Sequence, residues 1–145
     1  ATIVNEYESL GMNYFDLQCA ISFHDDIISE IGGLEGYNKT QIGYLDSVLE
    51  QIQNDDYYST FFDKMIHIIF SCVKFHPFLD GNKRTAIYLG CHFAKINGLD
   101  CPNQYYTEME NVVVKIAENS ISKDDLKDIL FVIFTEKSPK QRNRQ

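Results

Sequence analysis

Two segments that are apolar on almost every side constrain the fold of this chain more than any other feature. The first spans about residues 57–75 and the second about residues 82–97. A surface helix needs only one apolar stripe, so a helix that is apolar all round must be covered by other elements. We therefore expect both segments to form the centre of a helical bundle, with the short polar loop 76–81 between them.

Apolar residues spaced three or four positions apart predict further helices around this pair. The first is expected over about residues 13–30 with Asn13 as its cap, and the second opens at Thr40. Strand signals are weak, and at most a short hairpin is expected near residues 32–39.

Two capping boxes predict the remaining helices, because a Ser or Thr followed three residues later by an acidic residue satisfies free amides at a helix start. Thr107 is predicted to open a fifth helix over about residues 107–119, and Ser122 a sixth over about residues 122–135. The prediction is an all-α, compact bundle of about six helices in a single domain, residues 1–145.

Composition argues against several classes of protein. The net charge is −8 and the pI about 4.8, which is unfavourable for binding nucleic acid. No run of about 18 apolar residues is present, so no membrane span is expected. Residues 137–145 form a basic tail that we expect to be flexible.

Cysteine usage favours a cytoplasmic protein. The four cysteines contain no C-x-x-C pair, and Cys19, Cys72 and Cys91 fall inside apolar helical patterns, where a free thiol behaves as a small hydrophobe. This usage is typical of a reducing cytoplasm rather than of a disulfide-stabilised secreted fold. The four histidines are widely spaced and give no support for a zinc site.

The loop between the two apolar segments concentrates reactive side chains. Histidine is the residue type best suited to taking up a proton near neutral pH, so His76 is a candidate general base, although a histidine satisfied within the core is the alternative. Pro77 follows it, so we expect extended backbone at His76. Asp80 is a candidate Mg²⁺ ligand, because Mg²⁺ needs only one or two protein carboxylates besides substrate phosphates.

The start of the second apolar segment carries two cations. Lys83 and Arg84 lie where the helix dipole is positive, so each is unfavourable there by roughly 0.3–1 kcal/mol. Their position is explained if a phosphate binds at the helix end, and the alternative is that they reach acidic side chains or water. Gly81 allows a positive φ or the close approach of a phosphate, and Asp80 or Asn82 is a candidate helix cap.

Residues 76–84, read as His-Pro-Phe-Leu-Asp-Gly-Asn-Lys-Arg, resemble the signature H-x-F-x-[D/E]-G-N-x-R of the Fic/Doc superfamily. Lys83 at the variable position is similar to the Doc (death-on-curing) branch, since Fic proteins usually carry glycine there. Residues 24–36, read as H-D-x-I-I-x-x-x-G-G-L-x-G, also resemble Doc, and the resemblance covers about residues 24–99.

The resemblance implies the Fic/Doc fold and an enzyme that uses ATP and Mg²⁺. It further implies a Doc-like toxin kinase, which transfers the γ-phosphate of ATP to a Ser or Thr hydroxyl of elongation factor Tu, inhibits translation, and is blocked by an antitoxin protein. The roles that it implies are the base for His76, the Mg²⁺ ligand for Asp80, and phosphate or nucleotide contacts for Gly81, Asn82, Lys83 and Arg84.

Two alternatives stay open. A Fic-type enzyme would transfer AMP to the protein, but Fic signatures often have a second arginine where this chain has Ile87. A helical binding module without catalysis is the third reading. The inhibitory motif [S/T]-x-x-x-E-[G/N] of Fic proteins has no match, so control is expected from another protein. His24 is expected to pack or cap, and residues 34–37 are a candidate flap beside the site.

Overall fold

The computed structural model describes residues 11–135, and the basic tail predicted at 137–145 lies outside this range. The described residues form six α-helices and no strand, which confirms the all-α prediction. The helices are α1 (Leu17–Ile31), α2 (Gln41–Gln51), α3 (Phe61–Phe75), α4 (Asn82–Ile96), α5 (Asn103–Ala117) and α6 (Lys123–Thr135).

The two all-round apolar segments become α3 and α4, and they pack against each other at the centre. α3 also contacts α2, α5 and α6, while α4 also contacts α1 and α5. Gly90 allows the close approach, because a Cβ at this position would lie 2.7 Å from both Ile69 Cδ1 and Tyr105 Oη. The predicted central pair is therefore confirmed.

The start of α1 differs from the prediction. Asp16, and not Asn13, is the cap, with its Oδ1 accepting a hydrogen bond from the N–H of Cys19 at 2.9 Å. Asn13 instead closes the far end of α4, where its backbone N–H donates to Asn97 Oδ1 at 2.7 Å and its Nδ2 donates to the Ile96 carbonyl at 2.8 Å. The prediction was wrong because this partner lies more than eighty residues away.

α5 begins at Asn103, directly after Pro102, and not at Thr107. The Thr107 hydroxyl bonds the Asn103 carbonyl within the helix, so it caps nothing. Burial of Tyr105 and Met109 on one face explains the earlier start, because packing extends an amphipathic helix beyond its local capping signal.

Two other helix starts carry reciprocal side-chain caps. At α6 the predicted box is confirmed, since Ser122 N–H donates to Asp125 Oδ2 at 2.9 Å and Asp125 N–H donates to Ser122 Oγ at 3.1 Å. α3 begins at Phe61, four residues later than predicted, because Thr60 and Asp63 form such a box there. Within the described residues no helix is long and apolar enough to cross a membrane.

Candidate active site

The loop 76–81 leaves the end of α3 through a left-handed residue. His76 has φ 50° and ψ 58°, so the extended backbone predicted from Pro77 is wrong. The C-terminal residue of a helix often takes this conformation to reverse the chain, and histidine tolerates it better than most residues. The imidazole of His76 is exposed to solvent, so the core alternative is also wrong.

Asn82 holds the loop with its side chain. Its Oδ1 accepts from the N–H of Phe78, and its Nδ2 donates to the Phe78 carbonyl, both at 2.9 Å. The Asn82 amide is therefore occupied within the loop, and it does not cap α4. Its backbone N–H, in the first turn of α4, is what Asn82 offers to an anion.

His24, in the middle of α1, supports the same loop from the core. Its ring is buried and stacks on Phe78 with centroids 4.0 Å apart. Nε2 lies 2.7 Å from the Asp80 carbonyl oxygen, and because a carbonyl only accepts, Nε2 must carry the hydrogen. The expectation that His24 packs rather than reacts is consistent with this burial, and its contact shows what it positions.

Residues 33–38 cover the other side of the loop, where the sequence predicted a flap and at most a hairpin. The segment does not pair with itself. Tyr37 forms an isolated antiparallel bridge with Phe78, flanked by the bonds from Asn38 N–H to the Pro77 carbonyl at 2.9 Å and from Leu79 N–H to the Gly36 carbonyl at 3.1 Å. The Asn38 side chain adds a bond to the His76 carbonyl at 2.8 Å.

Asp80 is oriented by backbone amides on both sides. Its Oδ1 accepts from Gly81 N–H at 2.9 Å and its Oδ2 accepts from Leu34 N–H at 3.2 Å. Gly33 must be glycine here, because its φ is 128° and a Cβ would lie 2.7 Å from Asp80 Oδ2. Gly81 has φ 72°, so of the two reasons given for a glycine here the structure shows the positive φ.

The start of α4 has no side-chain cap and no acidic residue in its first turn. Lys83 and Arg84 are exposed there, and within residues 11–135 neither has a hydrogen-bond or ion-pair partner. The alternative in which they reach acidic side chains of the protein is thus not observed. Free N–H groups, the helix dipole and two unpaired cations are features that favour an anion at a helix end.

A cavity of about 360 Å³ opens at this helix end. The loop and α4 line it with Asp80, Gly81, Asn82, Lys83, Arg84 and Ile87, and other helices add Ile31, Glu110, Val113 and Val114. His76 is not among the lining residues, so the candidate base lies beside the cavity and not within it. The contribution from α5 was missed, because no sequence motif marks it.

The residues present fit a Mg²⁺ ion held largely by a nucleotide. Asp80 supplies one exposed carboxylate at the cavity wall, and its two backbone hydrogen bonds fix its direction. Among the described residues, no three His, Cys, Asp or Glu side chains are grouped to hold a metal. An ion at Asp80 would therefore take its remaining ligands from substrate phosphates and water, as Mg²⁺ commonly does.

Exposed apolar side chains border the loop and form what we call the apolar rim. Phe75 precedes His76 and packs on Tyr44 with ring centroids 5.2 Å apart. The other members lie in the loop and in the segment that covers it. The rim consists of Leu34, Tyr37, Tyr44, Phe75 and Leu79, which are between 41% and 64% exposed. Patches of this kind on soluble proteins are typical of contact surfaces.

Comparison with known families agrees with this geometry. A sequence model described as the Fic/DOC family matches residues 14–94, which is more than half of the chain. The match runs from just before α1 to the last turn of α4, and so includes every loop contact described above. No curated protein is significantly similar to the chain.

Proposed function

This chain belongs to the Fic/DOC family, and we propose that within it the chain is a Doc-like protein kinase that moves the γ-phosphate of ATP to a Ser or Thr hydroxyl. The family supports a Fic-type transferase acting on proteins in general. The finer assignment rests on one observation, which is Lys83 exposed and unpaired at the start of α4.

Lys83 separates the two reactions by the space that it occupies. A glycine at this position would leave room for a phosphate against the backbone, whereas a lysine fills that room and offers a charge further out. The triphosphate must then lie differently in the cavity, with another of its phosphates towards the acceptor. A buried Ile87 stands where Fic signatures often have a second arginine, and this also supports γ-phosphate transfer over AMP transfer.

In the proposed reaction His76 takes the proton of the acceptor hydroxyl with a ring nitrogen. The hydroxyl oxygen then forms a bond to the γ-phosphorus as the bond to the β–γ bridging oxygen breaks and ADP leaves. The free N–H groups of α4 with Lys83 and Arg84 hold the phosphates, Arg84 through its two-pronged guanidinium. A Mg²⁺ ion at Asp80 would neutralise charge on the phosphates.

We propose a protein acceptor, and the apolar rim supports it. An acceptor bound at His76 would lie beside the exposed Phe75, Tyr44 and Leu79, which a polar small molecule would not contact favourably. We propose elongation factor Tu as the target and a toxic arrest of translation as the effect, in the cytoplasm. The partner that controls it is proposed to be an antitoxin protein.

The experiment uses ATP labelled at either the α- or the γ-phosphate. Purified full-length protein is incubated with bacterial lysate and separately with purified elongation factor Tu, and label on protein is measured. We expect γ-label on a Ser or Thr. Label transferred only from the α-position would replace this proposal with AMP transfer, the second candidate, which uses the same residues apart from Lys83.

Two variants sharpen the assay. Lys83→Gly should shift the label from the γ- towards the α-position, because it restores room for a phosphate at the helix start. His76→Ala should abolish both labels, and equal transfer by this variant would favour a binding module without catalysis. The same assay also tests the target. Label on other lysate proteins but not on elongation factor Tu would support the proposed reaction and contradict the proposed target. An antitoxin reading frame beside the gene would support the toxin role.

A further inference from the structure

A second cluster of reactive groups lies at the opposite end of α4 from the candidate site. Cys91 is buried in the third turn of α4, Cys101 is half-buried in the connection to α5, and Tyr106 is half-buried in α5. Cys91 Sγ lies 2.9 Å from Tyr106 Oη. The Cys101 thiol is near enough to the Cys91 thiol for each to shift the pKa of the other through a side-chain hydrogen bond.

This arrangement surrounds one sulfur with two donors. The Cys101 thiol and the Tyr106 hydroxyl can both donate to Cys91, and a sulfur that accepts two hydrogen bonds is stabilised as a thiolate. The hydrogen bond from Cys101 is the largest cause that lowers the pKa of Cys91 to about 6, against the opposing effect of burial, and the Tyr106 bond and the charge of Lys95 add to it. The same contact raises the pKa of Cys101.

We propose that Cys91 and Cys101 are a redox-active pair that a hydroperoxide converts to an intramolecular disulfide. The Cys91 thiolate attacks one peroxide oxygen, the O–O bond breaks, and a sulfenic acid and one water form. The Cys101 sulfur then displaces the sulfenic oxygen as a second water and forms the S–S bond. The two thiols supply the two electrons that reduce one hydrogen peroxide to two waters.

The other cysteines serve as internal controls. Cys72 is buried between α3 and α4, and burial raises its pKa to about 12. Cys19 has its pKa raised by burial and by the negative charge of Asp16. Neither has a second cysteine within hydrogen-bonding distance among the described residues, so neither is expected to form a disulfide within the molecule.

The test is applied to the reduced full-length protein, with hydrogen peroxide as the probe. Free thiols counted after denaturation should fall from four to two, and the mass should fall by that of two hydrogen atoms. Non-reducing peptide mapping should find Cys91 linked to Cys101. A count that stays at four, a link that includes Cys19 or Cys72, or covalent dimers as the product would each overturn the proposal.

Two variants separate the roles of the two sulfurs, a third tests the tyrosine donor, and a fourth is a control. In Cys101→Ser the oxidation should stop at a sulfenic acid on Cys91, which dimedone captures, whereas Cys91→Ser should give neither disulfide nor dimedone adduct. Tyr106→Phe removes one donor and should slow disulfide formation several-fold with the fold retained. Cys72→Ser is the matched control and should form the disulfide at the original rate. A dimedone adduct mainly on Cys101 in Cys91→Ser would contradict the assigned order.

Discussion

The starts of α3 and α4, the two central helices, are built in opposite ways. At α3, Thr60 and Asp63 cap each other's backbone N–H groups, and Lys127 donates to Asp63 at 3.0 Å. At α4 a left-handed glycine precedes the helix, no side chain caps it, and two unpaired cations follow. Both helices pack at the centre of the bundle, so a central position does not explain the difference.

The uncapped start of α4 lowers the stability of the protein relative to a capped start such as that of α3. A missing cap is worth about 1 kcal/mol, and each cation at a helix N-terminus roughly 0.3–1 kcal/mol. The loop before α4 is held instead by the side chains of His24, Asn38 and Asn82. The free amides and cations at α4 are thereby left for a ligand, as expected of an anion site.

The largest effect should come from His76, beside the uncapped start. His76→Ala should lower label transfer from ATP by roughly 10²–10⁴-fold, the range for a lost general base. Stability should fall only slightly in His76→Ala, because the ring is exposed, although alanine tolerates the left-handed backbone less well than histidine. His76→Gly should also be inactive but more stable than His76→Ala by about 1 kcal/mol, since glycine accepts positive φ. Label transfer and urea unfolding measure the two effects, and an active His76→Ala would break the assignment.

Acid should lower the stability of the protein through His67, a buried residue of α3. Burial, with a contribution from the charge of Lys123, lowers the pKa of His67 in α3 to about 4. The unfolded chain, with histidine near 6.5, then binds more protons than the folded one, so stability should fall as pH drops from about 6.5 to about 4. The loss from this group is at most roughly 3 kcal/mol. Unfolding measured across this window should show a smaller slope in His67→Gln, and an unchanged slope would assign the loss to other groups.

Removal of the capping box at the start of α3 should have an effect of intermediate size on stability. Thr60→Ala should destabilise the protein by about 1 kcal/mol, because the N–H of Asp63 loses its acceptor, while label transfer should be unchanged. Thr40→Ala is the matched control, since Thr40 precedes α2 without a side-chain cap bond. Equal loss in the two variants would show that the α3 box does not stabilise its helix.

The smallest effect should have opposite signs at the two ends of α4. Lys83→Glu removes a cation from the positive end and should stabilise the protein by roughly 0.3–1 kcal/mol while it weakens activity. Lys95→Glu, in the last turn of the same helix, should destabilise it by a similar amount. Chemical denaturation of both variants at low salt tests this, and a loss of stability in Lys83→Glu would mean that Lys83 has a structural partner.

Several features that the sequence predicted correctly have a local cause. The apolar circumference of α3 and α4, the capping box at Ser122 and the positive φ of Gly81 each depend on residues a few positions apart. Two predictions failed because a distant residue decides, whereas the later start of α3 has a local cause in the Thr60–Asp63 capping box. Asn13 bonds the end of α4 instead of capping α1, and burial of Tyr105 starts α5 before Thr107.

The candidate site divides in the same way. All six candidate residues could be chosen from the sequence, because their chemistry and the signature spacing lie within residues 76–84. The sequence contained no signal for the contribution of α5 to the cavity, for Asp80 lying against Gly33, or for the backbone of His76. The extended backbone predicted for His76 was wrong because the left-handed conformation that ends α3 outweighed the preference set by Pro77.

The sequence alone therefore determined an all-α fold with two buried central helices and a reactive loop between them, because apolar periodicity and residue chemistry act over short distances. Only the tertiary structure decided that the start of α4 is uncapped and its cations unpaired. Those properties depend on where His24, Leu34 and Asn38 bring their hydrogen bonds. Contacts between residues far apart in the chain leave no periodic pattern, so folding had to bring them together before they could be seen.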